Sequence, residues 1–583
     1  MNQLASTRLV LGSLCVTGLF LACSSPSTSE NSGGTGGTGA GTAGTPGASA
    51  SAGKQMGTGG GAGTGVGMTG GATGTGGATG GAGGAGGAGG STTGGTGGST
   101  TGGTGGSTTG GTGGSTTGGT AGMPAAGTGG STAGGSGTAG SAGTGVVGAC
   151  NFSIMSQTAD KAGSGGIPTV GVVTWSVDMT GLTTASIDFT LQGGTTTLTA
   201  PVDVATGPNF RTLLLGMKGS KTYTFKVKVS NGSSQCTSAE QMITTGAVTS
   251  AVPRITRTAG PAAASQAKGF IIGSTGVGSG GMMGGGGGSS YAFILDADGD
   301  PVWWTAAPAS CSRAKMSYDG QYMWMVNLNV GNGSKDGGEV ARISMDGLTK
   351  NAKIPGLSNC HHDLTILPDG KVACLSWIQQ SGDQPSDLIE SDYQGNIKKV
   401  VTLDSNVYVG GQGLGSGNSY HANALHYHKG DDSYTFSDRN PNIYMKVSRA
   451  GAPLWQFGGS CTGAKAPKCV AGDWKVNHRH DMLDDGTFLF FNNGQSGAST
   501  AFFYKLTETG TFTAPQTGKY SPGTTSNVLG DVQRLPNGNT LVTFSTASKI
   551  DEIDASGAVV QSISGPGGYA EWRETLYGAP PRF

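Results

Sequence analysis

All seven histidines of this chain fall between positions 361 and 480, in three groups: His361-His362, then His421, His426 and His428, then His478 and His480. An imidazole has an ordinary pKa of ~6.5, so near pH 7 it can attack as a neutral nucleophile, carry protons or bind a metal. Three groups at matching places in one fold would converge on a single site of one of those kinds. His-His and His-x-His are both workable ligand spacings. Against a metal centre, Asp363 and Asp481 each directly follow a histidine and so point, along a strand, to the opposite face. His426 and His428 sit at period two inside one hairpin, NALHYHKGDD, and read as structural or exposed. His361 and His478 each neighbour a better candidate and read as strand contacts.

The elements that must position these side chains form a repeat. From residue 265 onward an apolar strand, a turn ending in Gly and a second strand recur, as in YAFILDADGDPVWW, DLIESDYQGNIKKV and IDEIDASGAVVQSI. The turn glycines are 299, 347, 395, 451, 510 and 557, so the period is 47 to 59 residues. Six copies predict six blades. A second hairpin family interleaves with the first, as in AKMSYDGQYMWMV, HDLTILPDGKVACLS, HDMLDDGTFLFFN and DVQRLPNGNTLVTFS. Two hairpins per period make a four-stranded blade, and a closed ring of blades leaves few exposed edges. Each histidine group opens a second-family hairpin, in three consecutive blades. That hairpin starts with the strand nearest the axis, so the groups converge on the mouth of a central channel, a natural ligand site. The fold expected is all-β, with a six-bladed β-propeller over 265–583.

Residues 147–248 alternate β-branched and polar residues in short runs punctuated by Gly, Asn and Ser, the pattern of one small β-sandwich. Its end, LLLGMKGSKTYTFKVKVSNGSSQCTSAEQMITTG, resembles the closing strands of a fibronectin type III domain. Residues 31–150 hold 54 of the 115 glycines, one charge (Lys54) and no aromatic residue. Such a stretch cannot offset the entropy of ordering its backbone, so 23–146 reads as a disordered Gly/Ser/Thr/Ala tether. Before it, Arg8 and the apolar run Leu9 to Ala22 have signal-peptide length, and LFLAC followed by Ser-Ser-Pro resembles a bacterial lipoprotein signal with Cys23 lipidated. That combination predicts an envelope protein, periplasmic or at the cell surface and most simply on the outer membrane, held to the membrane by its lipid.

The cysteines fit export. Cys461 and Cys469 sit eight apart in a Gly/Pro/Lys loop, a natural short disulfide, and Cys150 and Cys236 bracket the small domain as a second pair. Cys311 and Cys360 occupy similar places in neighbouring repeats. Cys374, in the apolar run KVACLSW, reads as a buried free thiol. The 34 basic and 34 acidic residues cancel with no basic run, which argues against nucleic acid as a partner. GSGGMMGGGGGSS at 278–290 lacks the Lys-Ser/Thr of a phosphate-binding loop.

Three segments make the propeller resemble the bacterial arylsulfotransferase family: HHDLTILPDGKVACLS at 361–376, HANALHYHKGDDSYTFSDRN at 421–440 and HRHDMLDDGTFLFFNNG at 478–494. GDVQRLPNGNTLVTF and the terminal EWRETLYG are weaker supports. The resemblance implies transfer of a sulfuryl group from an aryl sulfate to a phenol, through a sulfohistidine and without a nucleotide donor. It implies His480 as nucleophile, His421 and Arg439 from the H-x-N…S-x-R segment, and His362, with His361 as the fallback. The family's short disulfide ahead of the nucleophile's strand matches the place of Cys461 and Cys469. One departure is FNNG at 491–494, where the family leads one to expect an Asp. The chemistry suits the residue types: imidazole attacks and later leaves, an Arg fork holds the sulfuryl oxygens, and a second imidazole serves the departing phenolate. It requires no metal or other cofactor. A metal-dependent propeller hydrolase and a catalytically inactive surface-binding lipoprotein fit the same residues and stay open.

Overall fold

The computed structural model describes residues 143–147, 150–249, 252, 255–275, 290–308, 311–327, 340–378, 384–411, 418–495, 497–565 and 567–580. The leader, Cys23, nearly all of the tether and most of the GSGGMMGGGGGSS segment lie outside them. Among the described residues no helix is long and apolar enough to cross a membrane.

Among the described residues six sheets follow one another from Thr256 to Arg573, antiparallel throughout but for the short parallel pairing of Cys469–Val470 with Pro453–Gly458. Five begin at one end with Cys311–Met316, Cys360–Ile366, Ala422–His428, Asn477–Met482 and Asp531–Arg534, each the first strand of a second-family hairpin. The sixth is closed by the C-terminal strand Ala570–Arg573 pairing with Phe270–Ser274. These six strands pack side to side in a ring, so the architecture is a β-propeller. Thr256–Ala259 adds a fifth, outer strand to the last blade by pairing with Val559–Ser564, so the propeller also draws on residues ahead of 265.

The inner strands are mostly buried, and in Cys360–Ile366 all seven residues are covered, although three of them are His361, His362 and Asp363. Ionisable groups are found fully buried only where partners compensate, so these strands carry more than packing. Four inner strands also break register at the same place, between Cys311 and Arg313, His361 and Leu364, Ala422 and Ala424, and Asn477 and His480. Each is a β-bulge, which re-aims side chains that simple alternation would place elsewhere.

Ahead of the propeller, two sheets form a small sandwich: Gly143–Val147, Cys150–Thr158, Gly171–Val177 and Phe210–Leu214 in one, Thr184–Leu191, Thr197–Val202, Thr222–Ser230, Gln235–Thr237 and Gln241–Thr244 in the other. Cys150–Cys236 ties one sheet to the other. Sandwich and propeller touch through Tyr577, whose hydroxyl accepts from Leu215 N–H (2.7 Å) and donates to the Leu213 carbonyl (3.0 Å), and through the Arg211–Asp346 ion pair (2.7 Å). Cys461–Cys469 forms as expected. Cys374 corrects the free-thiol reading: it is bonded to Cys360 across the bulged hairpin, with Cα atoms 5.8 Å apart. Among the described residues the free cysteine is Cys311, buried, whose thiol burial pushes up to about 12.

Candidate active site

The bulges sort the histidines. In the strands Cys360–Ile366 and Asn477–Met482 a pair of residues bulges opposite the neighbouring strand, His362-Asp363 in one and His478-Arg479 in the other. His362 and His478 are therefore structural counterparts, and Asp363 corresponds to Arg479. His362 takes a left-handed backbone (φ 59°), as does Val476 (φ 60°) just ahead of His478. For β-branched valine that is a genuine outlier, a strain held only where neighbours enforce it.

His362 meets His421 at 3.4 Å between the two Nε2 atoms, with ring centroids 5.0 Å apart. Burial, then His361, His421, His478 and the Arg439 guanidinium, hold the His362 imidazole well below its ordinary pKa. His478 is brought down to about 3, by burial first and then by Arg439, against the opposing hydrogen bond from Asn493. His362 and His421 are in direct contact, and Arg439 lies within electrostatic reach of both His362 and His478. Arg439 lines a cleft of about 710 Å³ with Val409, Pro441, Lys475 and Val476.

Supporting groups fix this site from behind. His361 is fully occupied: Nδ1 meets His362 Nδ1 (2.7 Å), Nε2 meets Ser386 Oγ (3.0 Å), and its ring stacks on Trp377 at 3.6 Å. His362 is thus the member of the pair left to face His421. Asn493 gives both amide hydrogens to the carbonyls of Ser526 and Leu529, so its Oδ1 accepts from His478 Nδ1–H. That fixes the tautomer and leaves His478 Nε2 with a free lone pair. Asn423 donates to the Asn477 carbonyl (2.9 Å) and accepts from Ser437, so the H-x-N…S-x-R residues clamp the blade of Ala422–His428 to the strand of His478. Asp438 accepts from Tyr408 O–H (2.5 Å) and from the backbone N–H of His421 and Asn440; burial raises it to about 6.

One expected site residue is not brought together with the others. His480 bonds Thr435 Oγ1 through Nε2 (2.6 Å), and Thr435 also meets His428 Nε2 (2.8 Å). Its ring stacks on Phe488 and leans on Tyr444. The bulge after Asn477 breaks the alternation that would have turned His478 and His480 to one face. His426 and His428, half-buried as expected of structural residues, belong to this Thr435 group.

Between the two histidine groups lies a ring of charge. Arg313 meets Asp363 (3.0 Å) and Asp531 (2.9 Å), and Arg479 meets Asp363 (2.6 Å) and Asp531 (3.7 Å). Burial raises the Asp363 carboxyl, but Arg313 and Arg479 outweigh it and the net direction is down. The three-carboxylate cluster with cation-site geometry among the described residues, Asp296, Asp298 and Asp300, is elsewhere and already holds Lys218 Nζ at 2.7 to 3.1 Å.

Residues 282–565 match the model of the arylsulfotransferase (ASST) family. No curated protein matches the chain. Among solved structures, the periplasmic gluconolactonase of Pseudomonas aeruginosa is 12% identical, over 54% of this chain and 99% of its own, with a TM-score of 0.34. Virginiamycin B lyase of Staphylococcus aureus is 14% identical, over 53% and 88%, with a TM-score of 0.29.

Proposed function

We propose, from the premise that the chain belongs through residues 282–565 to the arylsulfotransferase family, that it moves a sulfuryl group from an aryl sulfate to a phenol through a covalent bond to His478, without a nucleotide donor. The observation that carries this reading is a neutral imidazole of fixed tautomer within electrostatic reach of Arg439, a permanent cation that lines a cleft. In the first half-reaction the His478 Nε2 lone pair forms an N–S bond. The S–O(aryl) bond breaks and its electron pair leaves on the phenolate. The sulfuryl oxygens keep their charge throughout, and the Arg439 fork holds them. A phenolate of ordinary pKa ~10 leaves more easily with a donated hydrogen bond, which the His362–His421 pair supplies. In the second half the acceptor oxygen attacks sulfur, the S–N bond breaks, the electron pair returns to Nε2, and the same pair takes the acceptor's proton. This reading moves the nucleophile two residues back from His480. The Cys23 leader supports an enzyme held at the cell envelope.

The test is a burst. Mixing enzyme with 4-nitrophenyl sulfate and no acceptor should release about one equivalent of nitrophenol, the mark of a covalent intermediate. Intact mass should rise by one sulfuryl group that added phenol removes, and peptide mapping should place it on His478. A label on any other residue overturns the assignment; no burst and no label overturn the covalent route.

A further inference from the structure

The cleft holds a second cation that sulfuryl transfer leaves unused. Among the described residues its lining contains Arg439 and Lys475 but no aspartate or glutamate; its other polar side chains include Asn440, Asn442, Gln456 and Gln495. Lys475 makes no ion pair among the described residues, and its side chain is exposed.

Its backbone is fixed. Lys475 N–H donates to Asn492 Oδ1 (3.1 Å) and its carbonyl accepts from Gly494 N–H (3.2 Å). The next residue, Val476, donates its N–H to Asn442 Oδ1 (2.6 Å) and accepts from Asn493 N–H (3.0 Å). These four bonds hold the left-handed turn at Val476, so Lys475 leaves the wall three residues before His478 from a rigid base. Val409, Pro441 and Val476 add apolar surface to the same wall, and Val409 is 42% exposed.

An aromatic ring resting on that apolar surface, with its sulfuryl group at Arg439, leaves one unneutralised ammonium group beside it. Charge without a counter-charge at a cleft selects ligands that bring one. We infer that the site is specific for phenols carrying a second, anionic group such as a carboxylate, with Lys475 as the residue that recognises it; this rests on the sulfuryl-transfer reading above.

The experiment compares two acceptors whose phenol groups are electronically matched, 4-hydroxyphenylacetate and 4-hydroxyphenylacetamide, with 4-nitrophenyl sulfate as donor. The wild-type ratio of kcat/KM should favour the carboxylate by about two- to fivefold, the range of a partly exposed charge pair, carried in KM and shrinking as salt is added. Lys475→Gln should bring the ratio to about one, and Lys475→Arg should restore it, which separates lost recognition from a damaged fold. A wild-type ratio near one, or a preference that survives in Lys475→Gln, overturns the inference and leaves sulfuryl transfer standing. If neither acceptor is sulfated, the transfer reading itself falls, and the inference with it.

Discussion

The Arg439 group (His362, His421 and His478) and the Thr435 group (His426, His428 and His480) draw on the same inner strands, yet their surroundings differ in kind. Burial is not what separates them: His478 and His428 are both held down to about 3 with burial as the first cause. Every imidazole in this channel with a resolved shift is pushed toward its neutral form, so a depressed pKa marks the channel and not the site. The Arg439 group has a cation that itself lines a cleft and a histidine whose Nε2 lone pair is left free by Asn493. In the Thr435 group His480 and His428 both turn Nε2 to one threonine hydroxyl, and the His480 ring packs on Phe488 and Tyr444. Nδ1 of His426 and of His480 is buried without a hydrogen-bond partner among the described residues, and His426 and His428 line a separate cleft of about 580 Å³. Room is found on both sides, so the difference lies in the charge that would hold an electrophile: a guanidinium fork, Arg439, on one side, and on the other Lys446, held by Asp431 and Glu508.

The largest effect expected sets one group directly against the other. His478→Asn should lower kcat by roughly a thousandfold or more and abolish the burst, as removal of a covalent nucleophile does. His480→Asn should keep the burst and lower Tm, since it disturbs the Thr435 contact and the Phe488 stack at a cost of about 1–3 kcal/mol. The reverse pattern would exchange the roles of the two groups.

The charge ring that lies between them comes next. Asp363→Asn leaves Arg313 and Arg479 with one full carboxylate between them, and loss of one partner from a buried ion pair typically costs about 3–5 kcal/mol. Denaturant titration should show that loss. Arg439→Lys follows: it keeps the charge but loses the planar fork, and should raise the transition state by about 2–4 kcal/mol, read in kcat/KM with the fold unchanged. Near-normal kinetics in Arg439→Lys would move the sulfuryl cradle elsewhere.

Much of this arrangement was legible in the residues alone. The fifty-residue period announces the blades, and the clustering of every histidine within 120 positions announces the channel. What misled was local register. His480-Asp481 looks like the counterpart of His362-Asp363, but strand alternation stops at a bulge, which leaves no mark in composition. Counting back from the turn glycine succeeds: His362 lies eight residues before Gly370 (370 − 362) and His478 eight before Gly486 (486 − 478). Cys374 misled for the same reason, since an apolar run says that a thiol is buried and not what lies across the hairpin. Asn423 and Asn493 stand in the H-x-N and FNNG segments, but a neutral amide, like the indole of Trp377, carries no reactive signature; only their hydrogen bonds and stacking show what they position.

The smallest effect is a matter of pH. If His478 titrated as an ordinary imidazole, kcat/KM would fall about tenfold per pH unit below ~6.5. Held at about 3, it stays neutral across the range from pH 7 to 5, so no such fall should occur. The group placed to titrate there is Asp438, raised to about 6 by burial and sitting beside Arg439. The profile should therefore show a shallow step near pH 6, about twofold to threefold, which Asp438→Asn removes. Stability should move differently from activity. A histidine whose folded pKa is depressed contributes stability that is present above its unfolded value of ~6.5 and is lost as pH falls toward 3. That holds for His478 in one group and His428 in the other, so Tm should decline from pH 6.5 downward while the rate per folded molecule stays nearly level. A tenfold-per-unit fall in that rate, starting at 6.5 and persisting in Asp438→Asn, would show the Arg439-side imidazole titrating freely and would erase the distinction in tautomer and charge drawn between the two groups.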